Sequence, residues 1–284
     1  MRSVSTAASN ATEEVQLGDR EFAKIAVYAK KHFGLSLSDN KKPLVRSRLS
    51  RRLRSLQIGS FSDYLDILDD AGSAEERTEL LCLLTTNVTQ FFREAHHFET
   101  LRDEVLPPLL NAAQNGKRVR IWSAGCSTGP EPYSIAIVLH ALCPNAHKLD
   151  IKVLGTDIDP VVVRQAIAAE YGPKDLAQIP KIYANIVTGG GSLAPRLPDE
   201  VTSLVRFGTL NLIKPFPFSG KFDAIFCRNV AIYFDKETQQ NVWMAFANAL
   251  TPDGFLFLGH SERLSGPALQ RFRGTGITTY QRIS

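Results

Sequence analysis

Val119-Arg120-Ile121-Trp122-Ser123-Ala124-Gly125-Cys126-Ser127-Thr128-Gly129 is the stretch on which the fold turns. Its first four residues read as a short buried strand and Ser123 to Gly129 as a loop of small residues, with an apolar helix following from Pro132 to Leu142. Working outward, the same alternation recurs. Ile151 to Leu154 is a second strand, and Pro160 to Ala169 a second helix with Pro at its first position. Phe222 to Phe226 and Gly254 to Leu258 are further strands, separated by a helix over Lys236 to Leu250. Strands alternating with helices predict a doubly wound α/β sheet. Gly172 to Thr209 breaks the rhythm. With Gly189-Gly190-Gly191, Pro195 and Pro198 it is too long for a simple connection and reads as a small inserted subdomain or a mobile loop.

Upstream, Glu21 to Leu110 reads as mostly helical, since good helix formers dominate and strand-like alternation is missing. Gly34, Gly59 and Gly72 stand where helices would end. Ser60 to Leu68 reads as a short helix led by a serine cap, with Phe61, Tyr64 and Leu65 on one face. Met1 to Thr12 is rich in Ser, Thr and Ala without an apolar run, which predicts a disordered lead-in and no secretory signal. The 284 residues are 44% hydrophobic and 22% charged, an ordinary globular balance. No apolar run reaches the ~20 residues of a membrane helix, so no membrane insertion is expected. Cys82, Cys126, Cys143 and Cys227 lie far apart, outside any zinc spacing, and fit free thiols in the cytoplasm.

In a doubly wound sheet, ligands bind beyond the carboxyl ends of the strands. The loop Ser123 to Gly129 lets backbone approach a ligand, and the following helix presents unpaired amides. The spacing is not that of a dinucleotide fingerprint, and the loop holds no phosphate-gripping lysine. Glu131 opens the helix, where it would repel a pyrophosphate but attract an ammonium group. Asp157 ends the second strand, placed to accept hydrogen bonds from ribose hydroxyls; the capping role that would otherwise explain it suits Asp159, just before Pro160, better. A nucleoside with a cationic amino-acid end satisfies these features ahead of a nicotinamide cofactor, and S-adenosylmethionine is such a ligand.

Five blocks then resemble the CheR-type chemotaxis receptor methyltransferases. They are Thr85-Thr86-Asn87-Val88-Thr89-Gln90-Phe91-Phe92-Arg93-Glu94, Trp122 to Ser134, Gly155-Thr156-Asp157-Ile158-Asp159, Phe226-Cys227-Arg228-Asn229-Val230 with Ile232-Tyr233-Phe234, and Leu258-Gly259-His260-Ser261-Glu262. The resemblance runs from about residue 20 to the end. It implies a helical N-terminal domain (19–95 here), a Rossmann-like class I methyltransferase domain (96–284) and a small β-subdomain inserted at about 172–209. Residues 1–18 would be the lead-in. It also implies transfer of a methyl group from S-adenosylmethionine to a receptor glutamate, giving the glutamyl methyl ester and S-adenosylhomocysteine. Carried onto matching positions, the cofactor contacts would be Asn87, Thr89, Arg93, Glu131, Asp157, Asn211, Leu212, Arg228 and Asn229. Since Asn87, Thr89 and Arg93 precede the α/β pattern, the helical domain or its linker would close over the cofactor. The family's usual acidic pair after the loop glycine is here Pro130-Glu131, and Glu131 is matched to the cofactor-binding acid.

A glutamate nucleophile is ionised at neutral pH and needs no general base. Catalysis would rest on positioning and desolvation, with Arg93 and Tyr233 expected at the reaction centre. Cys126 is read as a packing residue. No metal is expected: His96 and His97, adjacent on a helix, would project about 100° apart rather than converge. Lys41 to Arg54 carries seven basic residues and no acid. Val45, Leu49, Leu53 and Leu56 share one helical face, leaving Arg48, Arg51 and Arg52 on others as an expected docking surface for acidic methylation helices of a receptor. An RNA methyltransferase and a non-catalytic receptor-binding adaptor are the alternatives. Against the first, Cys227-Arg228-Asn229-Val230 lacks the Pro-Pro-aromatic turn of many base methylases. The retained Asp157, Glu131 and Arg93 argue against the second. A monomer without a nucleic-acid partner is expected.

Overall fold

A computed structural model describes residues 15–188 and 196–283. The described chain divides into two compact units, one of residues 15–30 and 37–85, the other of residues 31–36 and 86–283. The first is helical: α1 (Asp19–Phe33, continuing past the unit's end), α2 (Lys42–Ser55), α3 (Phe61–Asp69) and α4 (Ala74–Leu84). Ser60 caps α3, its hydroxyl accepting from the Asp63 amide at 3.1 Å, and the apolar positions of α3 (Phe61, Tyr64, Leu65, Leu68) are buried together. Val45, Leu49 and Leu53 bury one face of α2, as their spacing predicts, while Leu56, expected on the same face, caps the helix end and is exposed.

The second unit opens with α5 (Ala95–Thr100), which runs through one π-turn into α6 (Leu106–Gln114). Strand β1 (Val119–Ala124), α7 (Pro130–Leu142), β2 (Ile151–Asp157) and α8 (Pro160–Ala168) follow. Short helices α9 (Pro173–Leu176), α10 (Ala184–Thr188) and α11 (Asp199–Thr202) precede β3 (Val205–Thr209). The unit ends with β4 (Phe222–Cys227), α12 (Lys236–Ala249), β5 (Leu250–Leu258), β6 (Phe272–Gly276) and β7 (Thr279–Arg282). The seven strands form one sheet in the order β3-β2-β1-β4-β5-β7-β6, parallel except for β7, which pairs antiparallel with both neighbours.

Period-two alternation builds a core on each face. Val119 and Ile121 of β1 join α6 and α7 on one side, while Trp122 and Ala124 join α12 on the other. Because strand order reverses between β1 and β4, their carboxyl ends flank the crevice where ligands of such sheets sit.

The insert differs from its expected β character. Among the described residues it holds short helical segments at Pro173–Leu176, Lys181–Tyr183, Ala184–Thr188 and Asp199–Thr202, with a single antiparallel bridge from Glu170 to Arg196, and Val205 to Thr209 belong to the main sheet. Gly189-Gly190-Gly191 and Pro195 lie outside the described residues, as do residues 1–14 of the expected lead-in. Residues 86–95, grouped with the helical domain on sequence, pack into the second unit because Phe91 and Phe92 enter its core.

Candidate functional site

The loop after β1 is shaped by its own packing. Gly125 and Gly129 adopt φ of +90° and +96°, and Ser127, between them, +50°. A Cβ on Gly125 would fall 2.2 Å from Val230, and one on Gly129 2.8 Å from the Tyr171 hydroxyl. Both positions therefore require glycine for the fold itself. The amides of Gly125 and Cys126 donate to the Thr156 carbonyl at 2.7 and 2.9 Å. Asp157 completes the join: its buried carboxylate accepts from the Ser127 amide at 2.8 Å and from the Asp159 amide at 3.1 Å. Burial pushes this carboxyl above its ordinary range. The backbone amides of Asp159, Ser127 and Ile158 offset part of that rise. Asp159 caps α8 through the Val161 amide, and its other oxygen accepts from the Asn87 side chain at 3.1 Å. The Ser127 hydroxyl donates to the Asn87 carbonyl at 3.0 Å, so the segment before α5 is tied to the loop.

That segment is strained. Phe92 and Glu94 are both left-handed (φ +52° and +57°), an unusual conformation for side chains of this size. Phe91 and Phe92 are buried, and the Phe92 amide donates to the Ser134 hydroxyl of α7 at 3.0 Å. Arg93, half-buried, reaches the Val88 carbonyl at 3.3 Å. Thr89 is half-buried as well, and with Gln90 and Thr128 it borders a cavity of about 250 Å³ that Gln165, Glu170 and Tyr171 also line.

Arg228 and Glu131, expected as separate contacts, hold each other in a buried ion pair at 2.9 Å. The second Glu131 oxygen accepts from the Ser123 hydroxyl at 2.7 Å. Arg228 also donates to the Arg93 carbonyl, lies 3.4 Å from Glu94, and stacks 5.8 Å from the Phe98 ring centre. Burial works against ionisation of Glu94, but the Arg228 charge and hydrogen bonds from His260 outweigh it and hold the carboxyl below its ordinary range. Burial, with Arg228 second, presses His97 down to about 3, so it carries no charge at neutral pH. Two carboxylates against one guanidinium leave the buried cluster one negative charge in excess, an electrostatic preference for a cationic ligand.

Asn211 follows β3, and the Leu210 amide beside it donates to the Asp157 carbonyl at 2.8 Å. The Asn211 side chain donates to the His32 carbonyl at 3.0 Å and accepts from the Ile213 amide at 3.2 Å; Leu212 is buried. Asn229, at the end of β4, is left-handed with φ +59°. Tyr233, four residues on, donates its hydroxyl to the Thr86 carbonyl at 3.2 Å.

Two family models divide the chain: one described as the all-alpha domain of CheR methyltransferases matches residues 20–85, and one described as their SAM-binding domain matches 87–281. The chain belongs to the CheR methyltransferase family. It is a SAM-dependent methyltransferase. A probable chemotaxis protein methyltransferase of Rhizobium etli is 46% identical over 252 residues, covering 87% of this chain and 94% of that one. The chemotaxis protein methyltransferase of Escherichia coli is 40% identical over 274 residues, 95% of this chain and 93% of the relative. Chemotaxis protein methyltransferase 2 of Pseudomonas aeruginosa is 42% identical over 253 residues, 87% of each.

The residues fit the family's cofactor. Asp157 brings an acceptor carboxylate to the end of β2, and the acids Glu131 and Glu94 around Arg228 suit a ligand carrying ammonium and sulfonium groups. The sequence reading missed Glu94, Ser123 and Glu262. Glu94 and Glu262 stand inside motifs that mark the family, but their partners are distant in sequence and become visible only when the strands assemble.

One geometric expectation is corrected. His96 and His97 do approach each other, with ring centres 4.1 Å apart, and with Glu94 they bring three ligand-type atoms within 4.8 Å. Glu94 is left-handed and its carboxylate lies 3.5 Å from His97 Nδ1, an approach that projection along a regular helix does not foresee. Arg228 already supplies a cation 3.4 Å from the same carboxylate oxygen, which disfavours a divalent ion there.

In the helical unit the basic helix α2 is only partly a surface. Arg48 donates to the carbonyls of Leu83 and Thr85 at 2.8 Å each, closing the end of α4. Arg52 makes a two-pronged bond with Glu76 at 2.6 and 3.1 Å, and Glu76 also accepts from the Tyr64 hydroxyl at 2.8 Å. Arg51 is exposed, as is Arg54.

Proposed function

We propose that this enzyme methyl-esterifies glutamate side chains on the cytoplasmic methylation helices of chemoreceptors, as a cytoplasmic monomer, releasing S-adenosylhomocysteine. The observation that carries the reading is the identity of 40–46% along nearly the whole chain with chemotaxis protein methyltransferases. No helix among the described residues is long and apolar enough to cross a membrane. The RNA alternative finds no support among these relatives, which are named chemotaxis protein methyltransferases. The adaptor alternative sits poorly with a buried acceptor carboxylate at Asp157.

When bound, S-adenosylmethionine supplies an electrophilic methyl group on a sulfonium. Asp157 would hold its ribose hydroxyls, and the Glu131 and Glu94 charges would favour its cationic end. Asn87, Thr89, Asn211, Leu212, Arg228 and Asn229 complete the proposed contact set, with Arg228 acting from within its ion pair and Leu212 by packing. Asn87 and Thr89 reach it because residues 86–95 belong to the catalytic unit. Arg93 and Tyr233 border the proposed reaction centre, where Arg93 would clamp a carboxylate and Tyr233 would orient the attacking oxygen. The receptor carboxylate arrives ionised, so the protein has to place and desolvate it rather than deprotonate it. Cys126, its thiol pushed well up by burial, stays protonated and is a packing residue. Arg51 in the helical unit is the proposed contact with acidic receptor helices, with Arg48 and Arg52 shaping the face.

Incubation with tritiated-methyl donor and chemoreceptor membranes is expected to label the receptor with methyl groups that base releases as methanol. Base-stable label, or label on added RNA alone, would overturn the reading.

A further inference from the structure

Glu262 is 4% exposed, yet no part of the chemistry above uses it. Its carboxylate accepts four backbone hydrogen bonds. One oxygen takes the amides of Val230 and Ala231 at 3.0 and 2.7 Å; the other takes those of Asn229 and Gly259 at 2.8 and 2.7 Å. The donors come from two loops, one leaving β4 and one leaving β5, which are neighbouring parallel strands with Cys227 opposite Leu258. Both loops lie at the carboxyl edge of the sheet, where the cofactor crevice opens. Three consecutive amides of the first loop turn toward one carboxylate, an arrangement that includes the left-handed conformation of Asn229.

The loop so fixed touches the site on two sides. Val230 is the side chain that a Cβ on Gly125 would strike, so it abuts the cofactor loop. Tyr233, at the end of the short helical turn Ala231–Tyr233, reaches Thr86, next to Asn87. Gly259 permits the join, because a Cβ there would lie 2.7 Å from both the Asn229 nitrogen and a Glu262 oxygen.

We propose that Glu262 is a positioning residue for cofactor binding: by gathering the amides of Asn229, Val230, Ala231 and Gly259 it sets the backbone that presents Asn229 to the cofactor. This rests on the reading that the β4 loop contacts S-adenosylmethionine. An amide in place of the carboxylate cannot substitute, since its NH₂ group would face two N–H donors instead of accepting from them. The role is distinct from general core packing, which would affect both substrates or neither.

Two variants, Glu262→Gln and Gly259→Ala, test it, the second disturbing the same junction with the carboxylate intact. Calorimetry with S-adenosylhomocysteine and initial rates with receptor membranes are the measurements. For folded Glu262→Gln we expect affinity for S-adenosylhomocysteine to fall about tenfold or more, with KM for S-adenosylmethionine rising and KM for receptor changing less than about twofold. Gly259→Ala should reproduce that split. Wild-type cofactor affinity in a folded Glu262→Gln protein would overturn the proposal, as would equal rises in both KM values. Should Glu262→Gln not fold, unaltered cofactor affinity in Gly259→Ala overturns it. A parent protein that failed to bind S-adenosylhomocysteine would instead sink the cofactor reading itself.

Discussion

At the scale of single residues, the site is built from groups with two tasks. Asp157 fastens the β1 loop through the Ser127 amide and is also the proposed ribose acceptor. Asp157→Ala is accordingly expected to weaken S-adenosylmethionine binding by roughly 1.5–3 kcal/mol for each charged hydrogen bond lost, measured by calorimetry. Unchanged affinity would reject the ribose role. Arg228 and Glu131 show how far motif matching reaches. Their positions are legible in the sequence, but their mutual ion pair is not, since 97 residues separate them. The reading of Glu131 as a lone charge awaiting an ammonium group gives way to a three-residue cluster in which Arg228 stands between Glu131 and Glu94. Likewise Gly125 and Gly129, read as making room for a ligand, are required by Val230 and Tyr171.

Among elements, the main strands and their helices are legible because each carries its own periodicity. Strand β3 was hidden by its place behind the irregular insert, and β6 and β7 by their short, polar composition (FRGTG and TYQR), which periodicity does not distinguish from loop. Helix α2 separates two kinds of arginine that look alike in a charge run. Arg52→Ala leaves Glu76, a largely buried carboxylate, without its cation though still bonded to Tyr64, and should cost roughly 1–3 kcal/mol of stability in chemical denaturation. Arg51→Glu should leave stability within about 0.5 kcal/mol of the parent while slowing receptor methylation, more so at low salt. Equal stability losses for the two would refute this division of labour.

For the whole molecule, the buried charge cluster couples stability to pH. His97 is held neutral, its pKa pressed from 6.5 to about 3 by burial and by Arg228. The unfolded chain binds a proton at this residue below pH 6.5 and the folded protein does not, so the contribution is intact above that pH. It is lost progressively as pH falls toward 3, at up to about 1.4 kcal/mol per pH unit. The parent minus His97→Phe difference in unfolding free energy should therefore shrink between pH 6.5 and 4; a pH-independent difference would contradict it. Fold class, family and cofactor were all legible before any coordinates, because five motifs stand in family order. The ion pairs, the templated loop and the split role of α2 were not, because they depend on partners brought together only by folding.

Glutamate methyl esterification is tested by mass spectrometry of receptor peptides after incubation of chemoreceptor membranes with the enzyme and S-adenosylmethionine, beside an Arg93→Ala control. Methyl groups are expected on glutamate side-chain carboxyls, lost on mild base treatment and largely missing with a folded Arg93→Ala protein. Methylation on lysine, arginine or amide nitrogen, or none on glutamate, would contradict it.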